Sequence, residues 1–518
     1  MNKTTYHKNL IYLFLFLFSF LFNFYYGYRG VLPIDSFLIF DSGYFVLNGE
    51  YPFRDFWTIT GPLLDYLQSI FFYIFDVSWF SYVLHASCLN FLLVSFSYFF
   101  FINLGLKKIY SLTYSIAVSV LAYPSIGTPF PDHHAFIFAI ISMYFMIYGI
   151  SREKYQNYFF VTLFLFFSFL SKQTSSFYLT VFFLLILLTN LILKKENRIK
   201  KISYFLSGAI LPAILFLIFL KFTNTPLKNF LVQYIFYPST IGGERISDLN
   251  LDFKNMVSQF KFIYLSIIPA IIIFFYNFIF KNKKKDNDSE IYIFTVFIGT
   301  VIIFLYSQLL TQNQILIFSL IPICAAYSHQ FIKKYYDKNY LIYFIVLVLL
   351  FSTLKYHLRF NEDKKFMELE GIDINKFVNG VKIDDSLSNL KWITHHYPED
   401  SQKEATLLRD SLNKIKLEKV NKIVITDYQF ISSITKNKFS SPNKWHDAKS
   451  VPSKENEFYK DYQDFFFLKI KKNEIKKIYF VGQDKEFFFL ELIENKSCIK
   501  ESKANDLLKI YDISECSL

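Results

Sequence analysis

The chain has 518 residues, 53% of them hydrophobic and 21% aromatic, with only 19% charged and a mean hydropathy of +0.28. The 66 Phe against 15 Gly and 14 Pro exclude a disordered or collagen-like chain, and the apolar excess excludes an ordinary soluble enzyme. The net charge of +12 is no nucleic-acid footprint, because the Lys and Arg residues cluster in short loops between apolar runs, where they set membrane topology.

In chain order, Lys3 and Lys8 precede an apolar run over residues 10 to 26 that lacks a small-residue cleavage pattern. It reads as an uncleaved signal anchor with a cytoplasmic N-terminus. Further runs lie near 78 to 103, 109 to 124, 133 to 150, 157 to 171, 174 to 193, 202 to 220, 261 to 280, 291 to 310, 315 to 332 and 340 to 354, making eleven spans. The stretch 61 to 75 is ambiguous, since it contains Asp65 and Gln68 and ends at Asp76. If it does not cross, Lys107/Lys108, Arg152/Lys154, the 194 to 201 and 281 to 285 clusters and Lys333/Lys334/Lys338 all share the cytoplasmic side with the N-terminus. If it crosses, all of them move outside, against the positive-inside rule. It is therefore read as a helix in the outer interface.

Odd parity places the hydrophilic tail, residues 355 to 518, outside the cytoplasm. Lys422-Ile-Val-Ile-Thr and Lys477-Ile-Tyr-Phe-Val read as strands and residues 403 to 420 as a helix, so the tail is expected to be an α/β domain. The expected architecture is thus an all-α polytopic membrane domain over 1 to 354 with a C-terminal soluble α/β domain over 355 to 518. The four Cys at 88, 324, 498 and 516 form neither a CxxC nor a Cys/His zinc spacing. Cys498 and Cys516 lie on the oxidising side, either as a disulfide or as two free thiols.

The outer connections carry the chemistry. The first holds Asp35, Asp41, Arg54 and Asp55 among aromatics, the second Pro131-Asp132-His133-His134, and a tight turn between two spans holds Lys172-Gln173. Ionisable groups held at a membrane boundary mark a substrate path. Asp41 is expected to cap a helix over 42 to 47, and Asp132 sits where an N-cap for the third span belongs. A snorkelling role is the plain alternative for Lys172, and a flexible turn for Gly242-Gly243-Glu244-Arg245, which otherwise closes over a lipid headgroup. His395-His396 and Trp445-His446 in the tail have no evident task.

These residues resemble the C-type (GT-C fold) polytopic membrane glycosyltransferases, a family with bacterial members that takes sugars from polyprenyl-phosphate donors on the outer leaflet. The resemblance rests on Asp35 with Gly49 fourteen residues on, Tyr51-Pro-Phe-Arg-Asp-Phe56, the helix opening Gly61-Pro62-Leu63-Leu64, the acidic Asp132 motif and Ser171-Lys172-Gln173-Thr174. It covers roughly residues 1 to 350. Asp35-Ser36 stands where many members have Asp-Glu, and Thr60-Gly61-Pro62 where many have Lys-Pro-Pro, so the usual phosphate-binding Lys is missing; Arg54 or Lys172 is expected to replace it.

The resemblance implies a hexosyl- or pentosyltransferase in the inner membrane, with Asp35 as general base, Asp41 as the runner-up for that role, and Asp132 as the second catalytic acid. It also implies substrate contacts from Asp41, Arg54, Asp55, His133, His134, Lys172 and Gln173. The partners implied are a polyprenyl-phosphate-linked sugar, the bilayer, and a glycan, lipid or protein acceptor. The resemblance fixes no cofactor; a divalent cation at Asp132 and His133 is the alternative to a hydrogen-bonded phosphate. Two competing readings are a transporter or flippase, which calls for charged or broken segments at mid-span, and a glycan polymerase.

Overall fold

The Phe-, Leu- and Ile-rich runs form helices because their backbone polar groups have no partner but each other in an apolar setting. The computed structural model describes residues 3–193, 197–249, 251–280, 288–311, 314–336, 338–447, 449–482, 484–493 and 496–516. The helices are α1 (Lys3–Gly27), the short α2 (Pro33–Ser36) and α3 (Phe40–Leu47), then α4 (Leu63–Phe75), α5 (Trp79–Asn103), α6 (Lys108–Leu121), α7 (Pro131–Arg152), α8 (Gln156–Ser171), α9 (Gln173–Leu193) and α10 (Arg198–Phe222). They continue with α11 (Leu227–Leu231), α12 (Tyr237–Ser247), α13 (Lys261–Phe280), α14 (Asp288–Thr311), α15 (Leu320–Tyr335) and α16 (Asn339–Tyr356).

Every apolar run singled out in the sequence is helical. Among the described residues eight helices are long and apolar enough to cross a membrane: α1, α5, α7, α9, α10, α13, α14 and α16. At 14 to 16 residues, α6, α8 and α15 are shorter than a hydrocarbon core by themselves. The 13-residue α4 is shorter still, and it buries Leu64, Asp65, Gln68 and Phe72 while leaving Ile70, Tyr73 and Ile74 exposed.

α7 is the buried axis and packs against α5, α8, α9 and α14. Small hydroxyl side chains tie the bundle together, since a helix carbonyl is the acceptor at hand in an apolar interior. Ser142 Oγ donates to the Val161 carbonyl and Ser168 Oγ to that of Ala135, joining α7 to α8. Thr162 Oγ1 donates to the Phe205 carbonyl, joining α8 to α10. At Gly208 in α10, a Cβ would lie 2.1 Å from the Phe159 carbonyl oxygen, so only glycine permits that approach.

After α16 the chain builds β1 (Val378–Asn379) and β2 (Lys391–Trp392), an antiparallel pair, then α17 (Ser401–Leu417), β3 (Lys422–Thr426), α18 (Ile431–Ile434), α19 (Tyr459–Lys472), β4 (Lys477–Val481), α20 (Phe487–Leu490), β5 (Lys500–Lys503) and β6 (Leu508–Asp512). The four-stranded sheet has order β3-β4-β6-β5, with β3 parallel to β4 and the other pairs antiparallel. α19 lies within the crossover that the parallel pair requires. Cys498 and Cys516 form a disulfide, resolving the alternative left open by the sequence.

The change of architecture near residue 355 is not a break in the core. Phe37, in the connection between α2 and α3, packs its ring against Trp79, Trp392 and Phe430, so bundle and tail share one hydrophobic cluster. Backbone bonds stitch the same seam: Gly30 N–H to the Lys391 carbonyl, Val31 N–H to that of Ile393, Trp57 N–H to that of Pro442. Inside it lies a fully buried ion pair between Lys444 and Asp65, with Ser42 Oγ as a second donor to Asp65.

Candidate functional site

Asp35 stands in the single turn of α2, which starts at Pro33, where a missing N–H costs nothing. Asp35 N–H donates to the Leu32 carbonyl, and Leu32 N–H donates to Ser36 Oγ. With Val31 clipped to the tail, the turn is held from both sides. Its carboxyl faces a cavity of about 680 Å3 that also receives Asp132, Lys172, Gln173, Thr60, Arg245, Trp445, Asp447 and Lys449. Burial, and then the negative charges of Asp132, Asp447, Glu368 and Asp427, push the Asp35 carboxyl up to about 7.

Asp132 does not cap α7. The cap position is Phe130, which makes no side-chain bond, and Asp132 is the second residue of the helix, within its first turn. Its two oxygens instead accept from Lys172 Nζ at 2.6 and 2.8 Å, because α8 ends at Ser171 and turns its next residue toward the start of α7. The pair is largely buried, with side-chain exposures of 20% and 11%. Gly61 sets this turn: its N–H donates to the Ser171 carbonyl, and a Cβ there would lie 1.9 Å from the Leu170 carbonyl oxygen. Gln173 donates to the carbonyls of Ile59 and Tyr234, and its Oε1 is buried without a partner among the described residues.

The other sequence candidates lie away from this cavity. Asp41 does not cap the helix it begins; it accepts from the N–H groups of Ser432 and Ser433 and so caps α18 of the tail. Arg54 pairs with Asp55, donates to the carbonyls of Thr223 and Gly49 and lies over the Tyr51 ring. Asp55 also accepts from Tyr51 N–H, closing its own turn. His134 bonds His85 Nε2 at 3.0 Å and the Tyr123 hydroxyl, and His85 Nδ1 is 2.9 Å from Gln68 Oε1. His133 is buried edge-on to Tyr123, with neither ring nitrogen partnered among the described residues. Both histidines therefore belong to the interior of the bundle. For the divalent-cation alternative, the described residues contain no group of three or more His, Cys, Asp or Glu placed to hold a metal ion.

The tail supplies what sequence reading missed. Trp445 donates from Nε1 to the Leu38 carbonyl, and Ser450 locks the turn by accepting from Asp447 N–H and donating to the Trp445 carbonyl. This fixes Asp447 and Lys449 at the cavity wall. The one signal was the Trp445-His446-Asp447 run in a polar loop; His446 turns inward, where burial holds its imidazole down at about 3 and thus neutral.

The cavity collects the start of α7, the end of α8, the start of α9 and the end of α14, so it lies at one end of the bundle. Arg152, at the other end of α7, marks the opposite side. Fold and cavity together define a helical, membrane-type chain with an ionisable chamber at one end, lined in part by a loop of the C-terminal region. No protein-family model and no curated protein matches this chain.

Proposed function

We propose that this chain is an integral membrane glycosyltransferase of the C type, using a polyprenyl-phosphate sugar as donor and a hydroxyl of a cell-envelope glycan, lipid or protein as acceptor. One observation carries the reading: Asp35 and Asp132, from different outer connections, meet in one cavity together with Lys172. The step needs a base beside the acceptor and positive charge beside the departing phosphate. Asp35, poised at about 7, takes the hydroxyl proton. The acceptor oxygen then bonds the anomeric carbon as the bond from that carbon to the phosphate oxygen breaks. Lys172, aimed by Asp132, faces the phosphate released; Arg54, the other candidate for that charge, is already saturated by Asp55 and two carbonyls.

All eleven apolar helices cross in this reading, with α6, α8 and α15 borrowing flanking residues, and α4 lies in the outer interface. Basic clusters at the helix ends remote from the cavity support a cytoplasmic assignment for that side. The disulfide in the tail fits an oxidising, extracytoplasmic compartment. A transporter would keep its ionisable groups at mid-bundle, whereas here they gather at one end. The test is transfer from a panel of polyprenyl-phosphate sugars by the full chain in nanodiscs. Asp35→Asn and Asp132→Asn are each expected to lose about 100-fold or more in turnover; activity surviving both refutes the mechanism.

A further inference from the structure

α12 is divided in two by its packing. Its first half is anchored: Tyr237 and Ile241 are buried in the tail's hydrophobic cluster with Trp57 and Tyr462, Tyr237 donates to the Lys449 carbonyl, and Thr240 bonds Asn456. Its second half, from Gly243, is mostly exposed, with Ile246 51% accessible, although Arg245 and Ile246 line the cavity. The boundary is Gly242-Gly243. A Cβ built at either would meet nothing within 4 Å, and neither has a positive φ, so no packing or backbone constraint of this conformation calls for glycine. Two glycines inside a helix weaken it by about fivefold each in the helical equilibrium relative to alanine. The helix is thus weakest where the anchored part ends. Among the described residues the Arg245 guanidinium has no hydrogen bond or ion pair, while of the other two cations lining the cavity Lys172 shares its charge with Asp132 and Lys449 is an exposed residue of the tail, outside the helix that carries Arg245.

We propose that residues 242 to 248 are a flap, hinged at Gly242-Gly243, that swings over the cavity mouth and brings Arg245 onto a bound phosphate group. This rests on the proposed function only for the source of the phosphate, a lipid headgroup; the hinge is independent of it. Arg suits the task because its planar fork pairs two phosphate oxygens at once and stays charged at any working pH. The apolar edge of the mouth, Phe177 on α9 and Ile246 on the flap, fits a headgroup arriving with its chain still in lipid.

The experiment is pulsed electron-spin distance measurement on the full chain in nanodiscs, with Cys88 replaced by Ser. One label pair is Ile246→Cys with Lys454→Cys, and the control pair is Ser239→Cys with Lys454→Cys, reporting the anchored half. The expected result is a broad distribution at 246 and a narrow one at 239. Gly242→Ala with Gly243→Ala should shift the flap population about twentyfold toward the continuous helix. Dipalmitoylphosphatidylcholine nanodiscs containing polyprenyl phosphate, or inorganic phosphate added to the same nanodiscs without polyprenyl phosphate, should narrow the distribution at 246 relative to nanodiscs with neither addition, and Arg245→Ala should abolish that response. Which of the two acts identifies the source of the anion. Distributions equally narrow at 246 and 239, no effect of the alanine pair, or no response to either phosphate overturns the proposal. None of these readings involves sugar transfer, so an inactive enzyme with a responsive flap refutes only the proposed function.

Discussion

Replacing Asp35 by Asn tests whether this carboxyl is held for chemistry at a cost in stability. In an unfolded chain an Asp ionises near its ordinary 3.8, whereas in the folded protein Asp35 does so near 7. The folded state therefore holds the extra proton between those values, and each pH increment across that window removes stability from the wild type. A wholly desolvated carboxyl would cost about 4 kcal/mol above pH 7, and solvent reaching it through the cavity lowers that to nearer about 2. Asn carries no such charge. Asp35→Asn is expected to match the wild type in unfolding free energy at about pH 4, and to exceed it progressively until the gain levels off above about pH 7. Turnover should move the other way: wild-type activity rises through about pH 7 as the base ionises, and the variant stays inactive throughout. Urea or thermal unfolding of the purified protein in detergent, from pH 4 to 8, reads the first effect and transfer assays the second. A variant less stable than the wild type at pH 8, or a stability difference independent of pH, would refute the reasoning.

Removing Lys444 alone, as Lys444→Met, leaves Asp65 charged and buried and should cost about 3 to 5 kcal/mol. Adding Asp65→Leu should recover most of it, and equal losses in single and double variants would show that the pair does not join tail and bundle. Gly61→Ala forces the chain away from Leu170 and should cost about 1 to 3 kcal/mol. Because the same turn aims Lys172, the Michaelis constant for the proposed lipid-linked donor should rise as well; a loss confined to stability counts against that coupling. An impermeant maleimide added to intact cells should label Cys498 and Cys516 only after reduction, and labelling only after cell lysis would place the tail on the cytoplasmic side. The Cys498→Ala/Cys516→Ala variant opens an 18-residue separation and should lose about 3 kcal/mol.

The helices were legible in the sequence because apolar length is a local property that survives without knowledge of neighbours. The strands at Lys422–Thr426 and Lys477–Val481 were legible for the same reason, while Lys500–Lys503, wholly exposed and with three charged residues of four, carries no strand signal and exists only through its pairing with β6. Of the site, Asp35, Asp132, Lys172 and Gln173 stood out as rare polar residues beside apolar runs. The error for Asp41 and Asp132 was common to both: each lies near the start of a helix, and position suggested a cap. The carboxylates found better partners elsewhere, in the N–H groups of Ser432 and Ser433 and in the Lys172 ammonium.

Hydropathy and charge spacing alone establish a chain of apolar helices with basic residues concentrated in the connections between them, since those preferences add up residue by residue along the chain. Tertiary structure alone decides which ionisable groups share a cavity. Asp447 reaches Asp35 across more than 400 residues of sequence because Phe37, Trp392 and Phe430 pack together and the Lys444 to Asp65 pair is buried beneath them. Long-range packing of this kind leaves no local pattern, and it also sequesters Arg54, His133 and His134, whose residue types by themselves promised chemistry.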